Sequence, residues 1–251
     1  MSAPEKISIL EHLRELRSRF IKSLLALLIG TGVVAAPPVT RTIMDFLAQP
    51  AGDVVLVQID PTEYITTYFK VAIIGGFILA MPIIIYQMAM FAAPGLTRKE
   101  KRYMIVSLPG IVLSFAAGAV FTWFILLPPA FHFLLSFGEG IVEPQIRISR
   151  YINLILVLTT WVGLSFQTPL VMTLLARLGI VKPASFAKRR KVAILGAFIA
   201  AAVFTPTFDP VNQTLLASPI IVLYEIGIWL SKIANRRRLK AAESRMLELK
   251  Q

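Results

Sequence analysis

Two glutamates four residues apart, Glu11 and Glu15, stand in the string Glu11-His12-Leu13-Arg14-Glu15-Leu16-Arg17. On a helix this spacing places both carboxylates on one face. A third acid, Glu100, is embedded among bases in Leu96-Thr97-Arg98-Lys99-Glu100-Lys101-Arg102. Acids in basic surroundings have two readings. One is local charge balance, worth only ~0.2–1 kcal/mol per exposed pair. The other is reception of a cationic ligand, for which a planar guanidinium is suited because it meets a carboxylate bidentately. A second group of polar residues falls inside apolar stretches, where each costs several kcal/mol unless partnered. Gln87, after Tyr86, can serve helix packing or line a site. Gln167 sits in Phe166-Gln167-Thr168-Pro169, where the proline leaves the Ser165 carbonyl without its helical donor. Carbonyl, hydroxyl and carboxamide then share one level, as a structural patch or a substrate-facing one. Glu225, in Leu223-Tyr224-Glu225, is the one carboxylate within an apolar span and is expected to point into protein. It would be protonated or paired with a cation, in a functional or a structural role. No cysteine is present, and His12 and His132 are expected on opposite sides of a membrane, so no metal site or cofactor is expected. The same placement speaks against a hydrolase, because neither histidine lies in a span to serve as base.

These residues are carried by six long apolar segments. Hydrophobic residues make up 56% of 251, with mean hydropathy +0.72, too apolar for a water-soluble domain. The net charge of +12 is explained by position. Bases cluster before the first segment, between the second and third, between the fourth and fifth, and after the sixth. Only Arg41, Lys70, Arg147 and Arg150 fall on the other side. This positive-inside pattern predicts six spans with both termini cytoplasmic, and leaves no role for nucleic acid. Residues 8–19 read as an amphipathic helix, with Ser8 and Glu11 at capping-box spacing. The spans are predicted at Phe20–Ala36, Val71–Ala93, Tyr103–Leu127, Tyr151–Ala176, Val192–Phe204 and Thr214–Leu230. Pro37-Pro38 stop the first, and Pro128-Pro129 are expected to break the third. The fifth and sixth are short; Val192–Phe204 reaches about 20 Å as a helix, against a hydrocarbon core of roughly 30 Å. Residues 1–232 are expected to form a single six-span domain and residues 233–251 a basic cytoplasmic tail, in which Arg236–Arg238 would meet anionic lipid headgroups.

The ordered strings resemble the TatC family, the multispanning receptor subunit of the twin-arginine protein translocase. They begin with Glu11-His12-Leu13-Arg14-Glu15-Leu16-Arg17, Gln49-Pro50, Pro82 with Tyr86-Gln87, and Ala93-Pro94-Gly95-Leu96 followed by Glu100. The Phe-x-x-Pro of span four, Thr205-Pro206 with Asp209 and Gln213, and Leu223-Tyr224-Glu225 complete them. The resemblance covers residues 8 to about 232. It implies an all-α membrane protein of concave, glove-like shape in the inner membrane of a prokaryote. It implies binding of twin-arginine signal peptides of folded cargo, and assembly with single-span TatA/TatB-type partners and with further copies of itself. Transport would be driven by the proton-motive force, without enzymatic chemistry. Glu15 and Glu100 match the family's contacts for the paired arginines, and Glu11, His12, Leu16 and Arg17 its recognition helix. Gln213 matches a partner-helix position and Glu225 the polar position of the sixth span, with Asp209, Gln87 and Gln167 completing the polar set. Gln167 departs from the family, which has glutamate there. The alternative of another class is a proton-coupled secondary transporter of a small solute, using Glu225 and Gln167 at mid-membrane.

Overall fold

A computed structural model of the chain describes residues 9–52, 55–92, 98–136, 145–204 and 210–248. The chain divides into two compact units, the first Met1–Val112 with Gly138–Leu156, the second Leu113–Phe137 with Val157–Gln251. Nearly all described residues are helical. Four helical stretches are long and apolar enough to cross a membrane: Glu63–Phe91, Lys101–Ser136, Ile148–Leu178 and Pro210–Arg236. A fifth is formed if the first two helices, bent by 79°, make one span.

In the first unit no proline separates the charged start from the apolar run, so both form one helix, α1 (Ile9–Val34). Ser8, the expected cap, lies outside the described residues. Pro37 and Pro38 do more than stop α1. They open α2 (Pro37–Ala48), where a missing backbone N–H costs nothing. The carbonyls at the end of α1 are taken up locally: the Tyr68 hydroxyl donates to Ala35 O at 2.5 Å, and the Thr40 hydroxyl to Val34 O. Away from water such carbonyls need partners. Two short strands, β1 (Leu56–Val57) and β2 (Ile146–Arg147), pair in parallel.

The long helix α3 (Glu63–Ala92) packs along α1, and glycine permits the close approach. A Cβ at Gly30 would fall 2.6 Å from the Gly76 carbonyl oxygen, and one at Gly75 2.9 Å from Val34 Cγ1. Small residues at a crossing are how helices gain van der Waals contact where lipid supplies no hydrophobic drive.

The start of α3 is anchored by a residue that the sequence did not single out. Glu63 is 4% exposed and accepts from Ile59 N (3.1 Å), Ser149 N (3.2 Å), Arg147 Nη2 (3.3 Å) and the Ser149 hydroxyl. Before it, Asp60 accepts from the backbone N–H and hydroxyl of Thr62 at 3.0 and 2.9 Å, which holds its carboxyl below the ordinary aspartate value.

Helix α4 (Arg98–Phe121) leads from the first unit into the second, where Pro128-Pro129 do not break it. A π-helical turn, Thr122–Leu126, precedes α5 (Leu127–Ser136), and the two continue α4 as one stretch. Leu127 N–H bonds Thr122 O, five residues back, so the ladder shifts by one residue before the prolines remove their donors.

The following stretch is interrupted. Helix α6 (Ile148–Ser165) ends at Phe166-Gln167 and α7 (Thr168–Leu178) begins with Pro169 in its first turn. Sequence reasoning assigned the donor-less carbonyl to Ser165. The observed joint also opens the Phe166 carbonyl, which the Ser114 hydroxyl occupies at 2.6 Å.

Beyond the short α8 (Pro183–Lys188), α9 (Arg190–Phe204) has 15 residues and is short, as expected. The last helix is not. Its apolar stretch is limited, but α10 (Pro210–Glu248) runs 39 residues and passes without interruption through 232–233. Pro219 survives inside it with its orphaned acceptor supplied: the Ser218 hydroxyl donates to Leu215 O at 3.3 Å.

Candidate functional site

In the first unit α1 presents His12, Glu15 and Arg19 toward the last turns of α3. The His12 ring stacks on Phe91, centroids 4.4 Å apart and planes 18° from parallel. Arg19 bridges, with Nη2 on Glu15 Oε1 and Nη1 on Gln87 Oε1, each 3.1 Å. Residues 12, 15 and 19 share a face by helical spacing, as do 87 and 91. Gln87 therefore joins the α1–α3 contact through an arginine. Glu11, Leu16 and Arg17 are exposed on the same helix, and Leu16 adds apolar surface beside the carboxylates.

Chemically, Glu15 already holds a guanidinium. Its side chain remains 26% accessible, and Arg19 engages one oxygen through one nitrogen. A carboxylate has acceptor capacity beyond one such bond. Glu100 falls on α4, in its first turn, but its side chain lies outside the described set.

The second unit holds the remaining polar residues, and they do not converge. Gln167 is 9% exposed at the α6–α7 joint, where its carbonyl accepts from Leu170 N and Val171 N at 3.1 and 2.9 Å. Gln213 Nε2 donates to Phe198 O at 3.1 Å, tying α10 to α9. Asp209 lies outside the described residues.

Glu225 does not point into protein, as the sequence suggested. It is half exposed and paired bidentately with Arg190, Nε–Oε1 2.6 Å and Nη2–Oε2 2.9 Å. The reason is rotation about the helix axis: Glu225 shares the exposed face of α10 with Val222, Ile226 and Trp229. Its cation is the first residue of α9, so the pair sits at the basic start of that helix. Among the described residues no cluster of three or more His, Asp or Glu side chains has metal-binding geometry.

Apolar surface also gathers in this unit. Trp161, Leu164, Ser165 and Thr168 flank the α6–α7 joint, and with Ala193, Gly196, Ala197 and Ala200 of α9 and Leu216, Ile220 and Tyr224 of α10 they line a cavity of about 380 Å³.

Comparison with known proteins fits this architecture. Residues 11–219 match the family model of the Sec-independent protein translocase protein (TatC). The chain is 38% identical over 234 residues to the Sec-independent protein translocase protein TatC of Aquifex aeolicus, covering 91% of this chain and 96% of that one. It is 40% identical over 228 residues to the TatC of Carboxydothermus hydrogenoformans, covering 90% and 93%. The chloroplastic relative of Arabidopsis thaliana is 36% identical over 234 residues, covering 92% of this chain and 68% of the relative. Among solved structures, a crystal structure of the twin-arginine translocase receptor TatC superposes with a TM-score of 0.81 at 38% identity, covering 89% of this chain and 99% of that one. The chain therefore belongs to the TatC family of Sec-independent protein translocase proteins and is a multi-pass membrane protein of that translocase.

Proposed function

We propose that the chain is the signal-peptide receptor of a twin-arginine translocase, and that Glu15 with Glu100 receives the paired arginines of the signal. The observation that carries this is the Glu15–Arg19 contact, a guanidinium already seated on the carboxylate at 3.1 Å in a partly exposed position. An arginine from a peptide needs the same geometry. Leu16 and the exposed Glu11, His12 and Arg17 border the proposed site on α1. Six spans with both termini at the cytoplasmic face of the inner membrane follow from the charge asymmetry. Helix α9, about 22 Å long, is too short for an undisturbed hydrocarbon core, so the bilayer thins beside it and the barrier for folded cargo falls. Six spans cannot enclose a folded protein, so single-span TatA/TatB-type partners and further copies of the chain complete the machine. Gln213 and Glu225 are the polar positions on α10 at which partner helices would meet it.

The test is binding of a twin-arginine signal peptide and its twin-lysine variant to the purified chain in detergent. A charge-assisted hydrogen bond contributes about 1.5–3 kcal/mol, so Glu15→Ala and Glu100→Ala should each weaken the arginine peptide by roughly 10- to 150-fold. Each should also remove its advantage over lysine. Equal affinity for both peptides, unchanged by either substitution, would refute the assignment.

A further inference from the structure

We infer that the cavity of the second unit is a seat for one acyl chain of an anionic phospholipid, whose phosphate is held at the mouth by Arg189. This rests on the chain being a membrane protein and is independent of how it recognises signal peptides. The cavity runs along α10 from Tyr224 to Leu216, about 12 Å by helical rise. Its volume of about 380 Å³ lies within the ~300–1,000 Å³ range of small-molecule sites. Over that length the volume is on the order of one extended hydrocarbon chain, so the cavity can serve as a bore for a single acyl chain. The walls are apolar apart from three hydroxyls, two of which are used within the protein: Ser165 Oγ donates to Trp161 O at 2.7 Å and the Tyr224 hydroxyl to Phe186 O at 2.9 Å.

Charge defines the mouth. The wall residues of α9 are 193, 196, 197 and 200, and helical spacing continues that face back one turn to 189 and 190. Ala193 N–H bonds Arg189 O at 2.9 Å, so the turn is formed. The Tyr224 hydroxyl at the cavity's end is bonded to Phe186 O, three residues before Arg189. Arg190 is neutralised by Glu225, the one acid among the described residues at this end. Arg189 is exposed at this end and has no acidic partner among the described residues. An apolar bore that ends in an uncompensated cation is complementary to a negatively charged amphiphile, and in a bilayer that is an acidic phospholipid.

Trp161 lines the cavity and reports on its contents. The full-length chain carrying Trp123→Phe and Trp229→Phe would be reconstituted in phosphatidylcholine vesicles. Small mole fractions of phosphatidylglycerol or phosphatidylcholine with brominated acyl chains would then be added, and Trp161 quenching followed. The expected result is half-maximal quenching at a several-fold lower mole fraction of the brominated phosphatidylglycerol. Arg189→Gln should reduce that preference about fivefold, the worth of one cation near an anionic headgroup. Gly196→Leu should abolish it by filling the bore, and it can do so without strain because a Cβ there meets nothing within 4 Å. Equal quenching by the two lipids in the parent chain, or a preference that Arg189→Gln leaves intact, would overturn the inference. Loss of quenching on adding an apolar transmembrane peptide, with no dependence on lipid headgroup, would assign the cavity to a helix and overturn it equally.

Discussion

Arg19 should act as a competitor for the ligand proposed for Glu15. Its Nη2 is 3.1 Å from Glu15 Oε1, and the two side chains are 22% and 26% accessible. The glutamate precedes the arginine by four residues, the favourable order for a helical pair. Such a pair is worth about 0.3–0.5 kcal/mol when fully exposed and up to ~1 kcal/mol for exposed pairs in general. This one is only partly accessible and braced by Gln87 at 3.1 Å, so ~0.5–1 kcal/mol is the working value. A peptide arginine that takes the Arg19 position must offset that energy, which lowers its affinity about two- to fivefold. Arg19→Gln removes the charge and retains an amide that can reach Gln87. Titration of a fluorescent twin-arginine peptide in detergent at low salt should therefore show two- to fivefold tighter binding to Arg19→Gln. In the Glu15→Ala background the same substitution should gain nothing, because the carboxylate under competition is gone. Binding weakened tenfold by Arg19→Gln alone would refute the reasoning and make Arg19 the group that holds Glu15 in place.

Two further outcomes follow from packing. A Cβ at Gly76 meets the Thr31 backbone, so Gly76→Leu should separate α1 from α3 and cost at least the ~1–3 kcal/mol of overpacking. Thermal unfolding in detergent would read this, with Gly32→Ala, which faces open space, as the tolerated control. Gln167→Glu should leave export nearly unchanged, since a neutral glutamate matches glutamine in shape at this buried joint; a large gain in transport of a twin-arginine reporter would show that the site needs a releasable proton.

What was legible in the sequence followed from composition along one axis. Apolar runs, the basic clusters between them and the short Val192–Phe204 segment each depend on depth in the membrane, which hydropathy and charge report directly. Rotation about a helix axis is a different quantity and was misjudged at Glu225. The information was present: Val222, Glu225, Ile226 and Trp229 recur at helical spacing, an exposed stripe in which a carboxylate meets a cation at the rim. Pro128-Pro129 misled for another reason. A proline pair forbids the ordinary ladder, but a π turn one step earlier moves the register, and no local rule forecasts it. Glu63 was invisible because the side-chain donors that fill it come from Arg147 and Ser149, 84 and 86 residues away.

Glu15 and Glu63 show why a carboxylate's role depends on how its acceptors are filled. Glu63 is buried and surrounded by donors from its own chain, and this fixes β2 and the start of α6 to the start of α3. A carboxylate so occupied has no capacity to offer a ligand, and removing it would leave its own buried backbone and hydroxyl donors unmet. Glu15 is partly exposed, and its described contact is a single-nitrogen one from a neighbour on its own helix. It can exchange that neighbour for an incoming guanidinium at small cost, whereas exchange at Glu63 would require dismantling the fold around it. Of the two, only Glu15 has a contact that an incoming guanidinium could replace, as the proposed receptor role requires.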